Sequence, residues 1–275
     1  LTDPIPSELH NDTLSMVIHA ASKVGKSTLC STAPLPICVW DVEGSWRFIR
    51  RAGFCEAGVH MTERCPCPPL RIRRWNPNTE YPPRYDGTWD VASVKVGDWR
   101  TMTNAYMYLA HPDLHDFKSL IVDSVTESQR KLKGNLRGLE QMRQQDWGDL
   151  LVQMDKLIRD CRDLVLIDRS PLKFVAFVGE TRMENGKWRP YMQGAVSVAL
   201  PYWVDIVGYL YPTWEPDAQG QATRQVNHLW IGPSQQFETG ERVQGVLGVD
   251  IRDPHLGRMM ETLFQIETAK TGDNT

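Results

Sequence analysis

LSMVIHAASKVGKST, residues 14–28, is the stretch whose reading decides the fold. Its first seven residues are a short apolar run suited to a buried parallel strand, and the STLCSTA that begins at Ser27 can open a helix. The turn between them carries Gly25, Lys26 and Ser27. A glycine, four free positions and then Gly-Lys-Ser or Gly-Lys-Thr is a phosphate-binding pattern, because backbone N–H groups must wrap phosphate oxygens where a strand hands over to a helix. Ala20 stands where the pattern has its first glycine. Ala21, Ser22, Lys23, Val24, Gly25, Lys26, Ser27 and Thr28 are therefore the expected cradle, with Lys26 against the β and γ phosphates and the Ser27 hydroxyl on Mg²⁺. The competing reading is a chance Gly-Lys-Ser in a surface turn.

A nucleotide held with magnesium calls for an acid at the tip of another buried strand. FKSLIVDSVTES supplies it: Leu120, Ile121 and Val122 are followed by Asp123, the position of a Walker B carboxylate and the second expected metal residue. PICVWDVEGSW, between the two motifs, is again a short apolar run ending in acids. A hydrolytic site needs a carboxylate to aim and deprotonate water, and Glu43 is the candidate. Asp41 is the less favoured of the two.

Bulk composition bounds the rest. At 275 residues and 41% hydrophobic the chain can bury a large core, and 31 basic against 34 acidic residues exclude a protein that coats nucleic acid by overall charge. Contacts of that kind would have to come from local clusters such as RKLKGNLR (130–137) and RMENGKWR (182–189), which could equally be solvated faces. No run approaches the roughly 20 apolar residues of a membrane span, and LTDPIPSELHNDT lacks the basic and apolar build of a signal peptide, so a cytoplasm is expected. Six scattered cysteines suggest reduced thiols.

These residues together resemble the RecA-like ATPase core. LIVDSVTE is similar to the Walker B strand of that family, VWDVEGS to the strand that ends in its catalytic glutamate, and FVAFVGETRMENGKWRP (174–190) to the strand that ends in a γ-phosphate sensor. With QQDWGDLL and LPYWVDIVGYLY, the series looks closer still to short RecA-like ATPases of bacteriophages, some of them single-strand annealing and recombination proteins. The resemblance covers roughly residues 14–250. It implies an α/β fold, a mostly parallel central sheet flanked by helices with antiparallel C-terminal strands. It also implies a sensor role for Glu180, where the family has glutamine, and a residue reaching a neighbour's nucleotide in Arg242, although Gly240 replaces the lysine that usually precedes it.

The lack of an Asn-Lys-x-Asp guanine signature and of a Leu-Ser-Gly-Gly signature favours ATP. The chain is then expected to be an ATP-hydrolysing, phage-type recombination protein that binds single-stranded DNA, works as a ring or filament of its own copies and meets a single-strand binding protein, in the host bacterial cytoplasm if phage-encoded. A nucleotide-gated assembly module with little hydrolysis stays open, as does a helicase-loader or packaging ATPase acting on duplex DNA.

The remaining chain reads as one domain over 1–275, with no repeat or linker. Residues 53–92, dense in proline, are an irregular insertion in which PLRIRRWNP could be a strand, and 251–275 form a tail. Cys55, His60, Cys65 and Cys67 have zinc-ligand types, but the one-residue gap between the last two is tighter than usual, and loose thiols are the alternative. Residues 141–160 have Trp147, Leu150, Leu151, Met154, Leu157 and Ile158 at helical spacing, a core-facing helix. The basic, glycine-bearing segment before it reads as a mobile loop, and in the resemblance it and residues 181–194 are the two DNA-facing loops. Arg130, Lys131, Lys133, Arg137, Arg182, Lys187 and Arg189 would take phosphates, and Trp188 with Tyr191 would stack bases. Trp188 could equally pack on the core.

Overall fold

The computed structural model describes residues 12–49, 70–216, 220 and 222–271. The elements follow in the order β1 (Leu14–Ala20), α1 (Lys26–Cys30), β2 (Ile37–Asp41), β3 (Ile72–Arg74), β4 (Val91–Lys95), α2 (Trp99–Leu109), β5 (Ser119–Asp123), α3 (Val125–Arg137) and α4 (Gln144–Asp163). They continue with β6 (Phe174–Glu184), β7 (Lys187–Pro190), α5 (Val196–Trp203), β8 (Ile206–Pro216), β9 (Ala222–Trp230), β10 (Gly240–Glu241), β11 (Asp250–Arg252) and α6 (Leu256–Thr271). The strands make one sheet in the order β11-β9-β8-β1-β6-β5-β2-β4-β3, with β10 on β8 and β7 on β6. From β8 to β3 all neighbours are parallel; β9, β10 and β11 pair antiparallel. This is the expected mixed α/β arrangement.

The central strands are apolar on both faces because helices cover both. Every residue of β1, β2 and β5 is buried, as a parallel sheet between two helix layers requires. On one face Met16, Ile18 and Ala20 of β1 meet Leu29 and Cys30 of α1 and Leu256, Met259 and Met260 of α6. On the other, Val17 and Phe177 join Met102 of α2, Leu132 of α3, Leu150 and Met154 of α4, and Leu200 of α5. The helix expected over 141–160 is α4. Within the segment read as an irregular insertion, Ile72–Arg74 pairs parallel with Val91–Lys95, adding two strands to the sheet edge. Cys55, His60, Cys65 and Cys67 lie outside the described residues.

Residues 130–137 are a correction. They are not a mobile loop but the body of α3, which starts at Ser124, whose hydroxyl accepts the Glu127 N–H at 3.2 Å. Val125, Gln129 and Leu132 of α3 are buried at helical spacing, so the capped, half-apolar face outweighs the helix-weakening Gly134. Residues 181–194 likewise are not simply a loop: β6 and β7 form a hairpin through Asn185 and Gly186, both at positive φ. Asn-Gly with both residues at positive φ is the turn chemistry a tight hairpin prefers.

Buried polar groups tie distant segments together. Asp205, just before β8, accepts the Ser15 N–H at 2.8 Å and the Ser15 hydroxyl at 2.6 Å, and donates its own N–H back to that hydroxyl. Asp205→Ala strands the N–H of Ser15, which is buried. It is expected to cost about 2–3 kcal/mol, seen as a lower urea midpoint with an unchanged slope. His115 is buried too, its Nε2 bonded to the Leu109 carbonyl at 3.1 Å and its Nδ1 without a partner. Burial pushes its pKa down to about 4 from an ordinary 6.5. Between those values the unfolded chain binds the proton and the folded chain does not, so stability present above pH 6.5 is lost as pH falls toward 4. The wild type is expected to lose about 1–2 kcal/mol of stability through His115 by pH 5, and His115→Gln to remove that share of the slope in urea melts at pH 7 and pH 5. His19 shifts the same way, also to about 4 by burial, while Asp41 and Asp123, raised by burial, act in the opposite sense; the difference between the two proteins isolates His115.

Candidate functional site

Sheet register brings the expected residues to one edge. At the C-terminal ends of parallel strands Ala20 lies beside Glu180, and Asp41 beside Asp123. Ligands of open α/β sheets bind in this position. Chain leaving β1 turns through Ala21, Ser22 and Lys23, all exposed, while Val24 packs on the core. Gly25 has φ +100°, a backbone conformation that favours glycine, and a Cβ there would stand 3.3 Å from Asn227 Nδ2. Lys26 and Ser27 then begin α1, with Thr28 half-buried behind them.

Lys26 Nζ donates to the carbonyls of Ala20 at 3.2 Å and Ala21 at 2.9 Å. Burial lowers its pKa, and the charges of Asp123, Glu43 and Glu180 oppose that shift. The Ser27 hydroxyl donates to Asp123 Oδ2 at 2.5 Å and lies 3.4 Å from the Ser45 hydroxyl. Asp123 is buried, and burial raises its pKa against the hydrogen bonds from Ser27 and Trp46. Glu43, in the exposed bend after β2, accepts from the Ser124 hydroxyl at 2.5 Å. Asp41 acts on the backbone instead. Its carboxylate accepts the N–H groups of Ser45 at 3.0 Å and Trp46 at 3.4 Å, holding the bend that carries Glu43.

The oxygen set of Ser27 and Asp123 fits magnesium, which takes one or two protein oxygens beside phosphates and water. Among the described residues no group of three or more His, Cys, Asp or Glu side chains could hold a metal.

The other expected residues divide into two groups. Glu180 stands at the site, its carboxylate 3.5 Å from Arg130, which also bonds Glu127 at 2.7 Å. The charge that set Glu180 apart from a glutamine sensor is thus balanced locally. Arg242 stands away from it: the segment Gly240–Glu241 pairs with Ile206 and Val207 at the start of β8, level with Met16, four residues below the end of β1. Its guanidinium reaches the Tyr202 carbonyl at 2.5 Å, and 59% of its side chain is exposed. Its contacts, to the Tyr202 carbonyl and to Asp205 at 3.8 Å, lie away from the phosphate loop of its own chain.

Most of the cations expected to meet DNA have partners. Arg137 pairs with Asp146, Lys133 lies 5.4 Å over the Trp147 ring, and Arg182 lies 5.3 Å over Tyr191. Lys187 and Arg189 share Glu238, at 3.3 and 3.4 Å. Lys131 is half-buried on α3, and so is Trp188 on β7, whose backbone bonds Gln236 and Glu238. The two segments do meet, through hydrogen bonds between Gln129 and Gln193 at 3.0 and 2.7 Å.

Three residues of the site have no counterpart in the sequence reading. Ser124 could have been found, since it follows the Walker B acid directly. Trp46 donates its indole N–H to Asp123 at 2.9 Å from a fully buried position, and Asn227 reaches Gly25 from β9. Neither carries a local signal, because each meets its partner across long stretches of chain.

No helix among the described residues is long and apolar enough to cross a membrane. No curated protein matches the chain. The family described as AAA domain matches residues 12–243, a span that contains the phosphate loop, Glu43, Asp123 and Glu180. A Gly-Lys-Ser loop joined to a strand-end aspartate by one 2.5 Å hydrogen bond, inside a match that covers most of its length, makes this chain a member of the AAA domain family of P-loop ATPases.

Proposed function

We propose that this chain binds ATP with Mg²⁺, hydrolyses it, and couples the cycle to holding single-stranded DNA in a phage-type annealing or recombination role. The observation that carries the hydrolytic part is the Ser27–Asp123 contact with Glu43 held beside it by Ser124. Lys26 would leave its two carbonyls for the β and γ oxygens; Ser27 and Asp123 would hold the metal, directly or through water. Magnesium would supply charge neutralisation on those oxygens. Glu43, exposed at the rim, would aim a water in line and accept its proton, while the Ser124 hydroxyl keeps the carboxylate in place.

The DNA part is supported by continuity. β6 runs past the site into the hairpin with Arg182, Lys187, Trp188 and Arg189, and α3, with Arg130, Lys131, Lys133 and Arg137, starts at Ser124 beside Asp123. Single strands take such cations and aromatics as phosphate contacts and stacking faces. The chain is read as one ATPase domain working in a cytoplasm beside further copies, which would receive Arg242, with a single-strand binding protein as a further partner. A nucleotide-gated assembly module is the second reading, motivated by Ala20 where the loop pattern has its first glycine and Gly240 where the family has a lysine.

The test is the ATP hydrolysis rate without DNA, with single-stranded DNA and with duplex DNA. Stimulation by single strands is expected. Lys187→Ala with Arg189→Ala is expected to weaken single-strand binding and flatten its log–log salt slope by about 1.4, two phosphate contacts at about 0.7 each. Stimulation by duplex alone would favour a loader or packaging ATPase, and tight ATP binding without turnover the assembly module.

A further inference from the structure

The phosphate loop does not hold Asp123 alone. Its Oδ2 oxygen accepts two hydrogen bonds, from the Ser27 hydroxyl at 2.5 Å and from Trp46 Nε1 at 2.9 Å. Trp46 is fully buried in the short helical turn Trp46–Phe48 that follows the Glu43 bend. An indole N–H only donates, and along one fixed direction in the ring plane. Two donors on one oxygen constrain where the other can point. The indole is itself secured: Asp41, the cross-strand neighbour of Asp123, accepts the backbone N–H groups of Ser45 and Trp46, and the Val42 N–H donates to the Asp123 carbonyl at 2.8 Å. Asp41, Trp46, Asp123 and Ser27 thus form a continuous chain of polar contacts from β2 to the phosphate loop.

We propose that Trp46 is a positioning residue of the magnesium site: its N–H sets the rotation of the Asp123 carboxylate and locks the Glu43 bend to the metal-holding pair. This rests on the ATPase reading above. Groups that orient a metal-holding side chain typically change metal affinity about 10–100-fold when removed. Trp46 differs from a packing aromatic in having a consequence specific to the metal.

The experiment is ATP binding by calorimetry in EDTA and across a Mg²⁺ titration, in wild type and Trp46→Phe, which keeps an aromatic ring and removes the N–H. The Mg²⁺ concentration that half-maximally tightens ATP binding is expected to rise about tenfold, with affinity in EDTA unchanged. Where the smaller ring leaves the protein poorly folded, the benzothiophene analogue of tryptophan at position 46 keeps the shape and still lacks the N–H, and the same shift is expected. An unchanged Mg²⁺ midpoint overturns the proposal, as does an equal loss of affinity with and without Mg²⁺, which would make Trp46 a packing residue. Wild type that binds ATP no better with Mg²⁺ than in EDTA removes the metal site and the ATPase reading together. Wild-type dependence that the variants leave untouched removes the role of Trp46 alone.

Discussion

Lys26→Ala is expected to keep its fold and lose ATP turnover by about 10²–10³-fold, mostly as lost nucleotide affinity. The side chain makes its hydrogen bonds to two main-chain carbonyls of its own loop, so its removal costs stability at most about 1 kcal/mol. Electrostatics of the site give the larger effect. Asp123, Glu43 and Glu180 all lie close enough to act on the Lys26 ammonium, and without it a triphosphate would enter facing three carboxylates. Lys26→Arg retains the charge but replaces a compact ammonium with a planar fork that the turn was not shaped for, so only partial recovery is expected. Urea melts alongside ATP binding and turnover check both halves; turnover within about threefold of wild type would remove Lys26 from the phosphate-binding role.

Glu43→Gln separates chemistry from binding. Glutamine still offers a carbonyl oxygen to the Ser124 hydroxyl, so the bend set by Asp41 keeps its shape. What it cannot do is take a proton from water. Turnover is expected to fall about 10²–10⁴-fold with nucleotide affinity retained, a loss in kcat where Lys26→Ala loses mainly affinity. Single-turnover hydrolysis beside equilibrium ATP binding reads the two apart. A Gln variant that turns over at the wild-type rate would remove Glu43 from the role of base.

How much of this was legible in the sequence depends on how far each residue's partner lies along the chain. The phosphate loop, Asp123 and Glu43 each follow a short, mostly apolar run, and a buried parallel strand writes itself as such a run with its functional residue at the end. The helix around Leu150 and Met154 was legible for a similar reason, its 3.6-residue spacing. α3 was not, because Gly134 and a dense set of cations look like a loop unless the Ser124 cap and the Val125, Gln129 and Leu132 stripe are weighed first. Trp46 in EGSWRF is one aromatic without periodicity, and its meaning comes from Asp123, 77 positions on. Lys187 and Arg189 looked like unpaired cations because Glu238 lies far beyond them. Arg242 matched a motif, yet the register of Gly240–Glu241 on β8 carries it to the other end of the sheet from the phosphate loop.

The strand order has one more consequence, for synthesis. β1 is made well before both of its neighbours: β6 starts at Phe174 and β8 at Ile206. Until the ribosome has passed them, LSMVIHA has two bare edges and no sheet to join. Long-range parallel pairing of this kind is slow to form and leaves sticky apolar strands waiting. A fragment ending after α4 would own every residue of the phosphate cradle together with Glu43 and Asp123, but the β6 strand that separates and aligns β1 and β5 would be missing. Dividing the chain there is expected to give a half that aggregates rather than a small nucleotide-binding unit, and the site becomes whole only once β6 and β8 have been made.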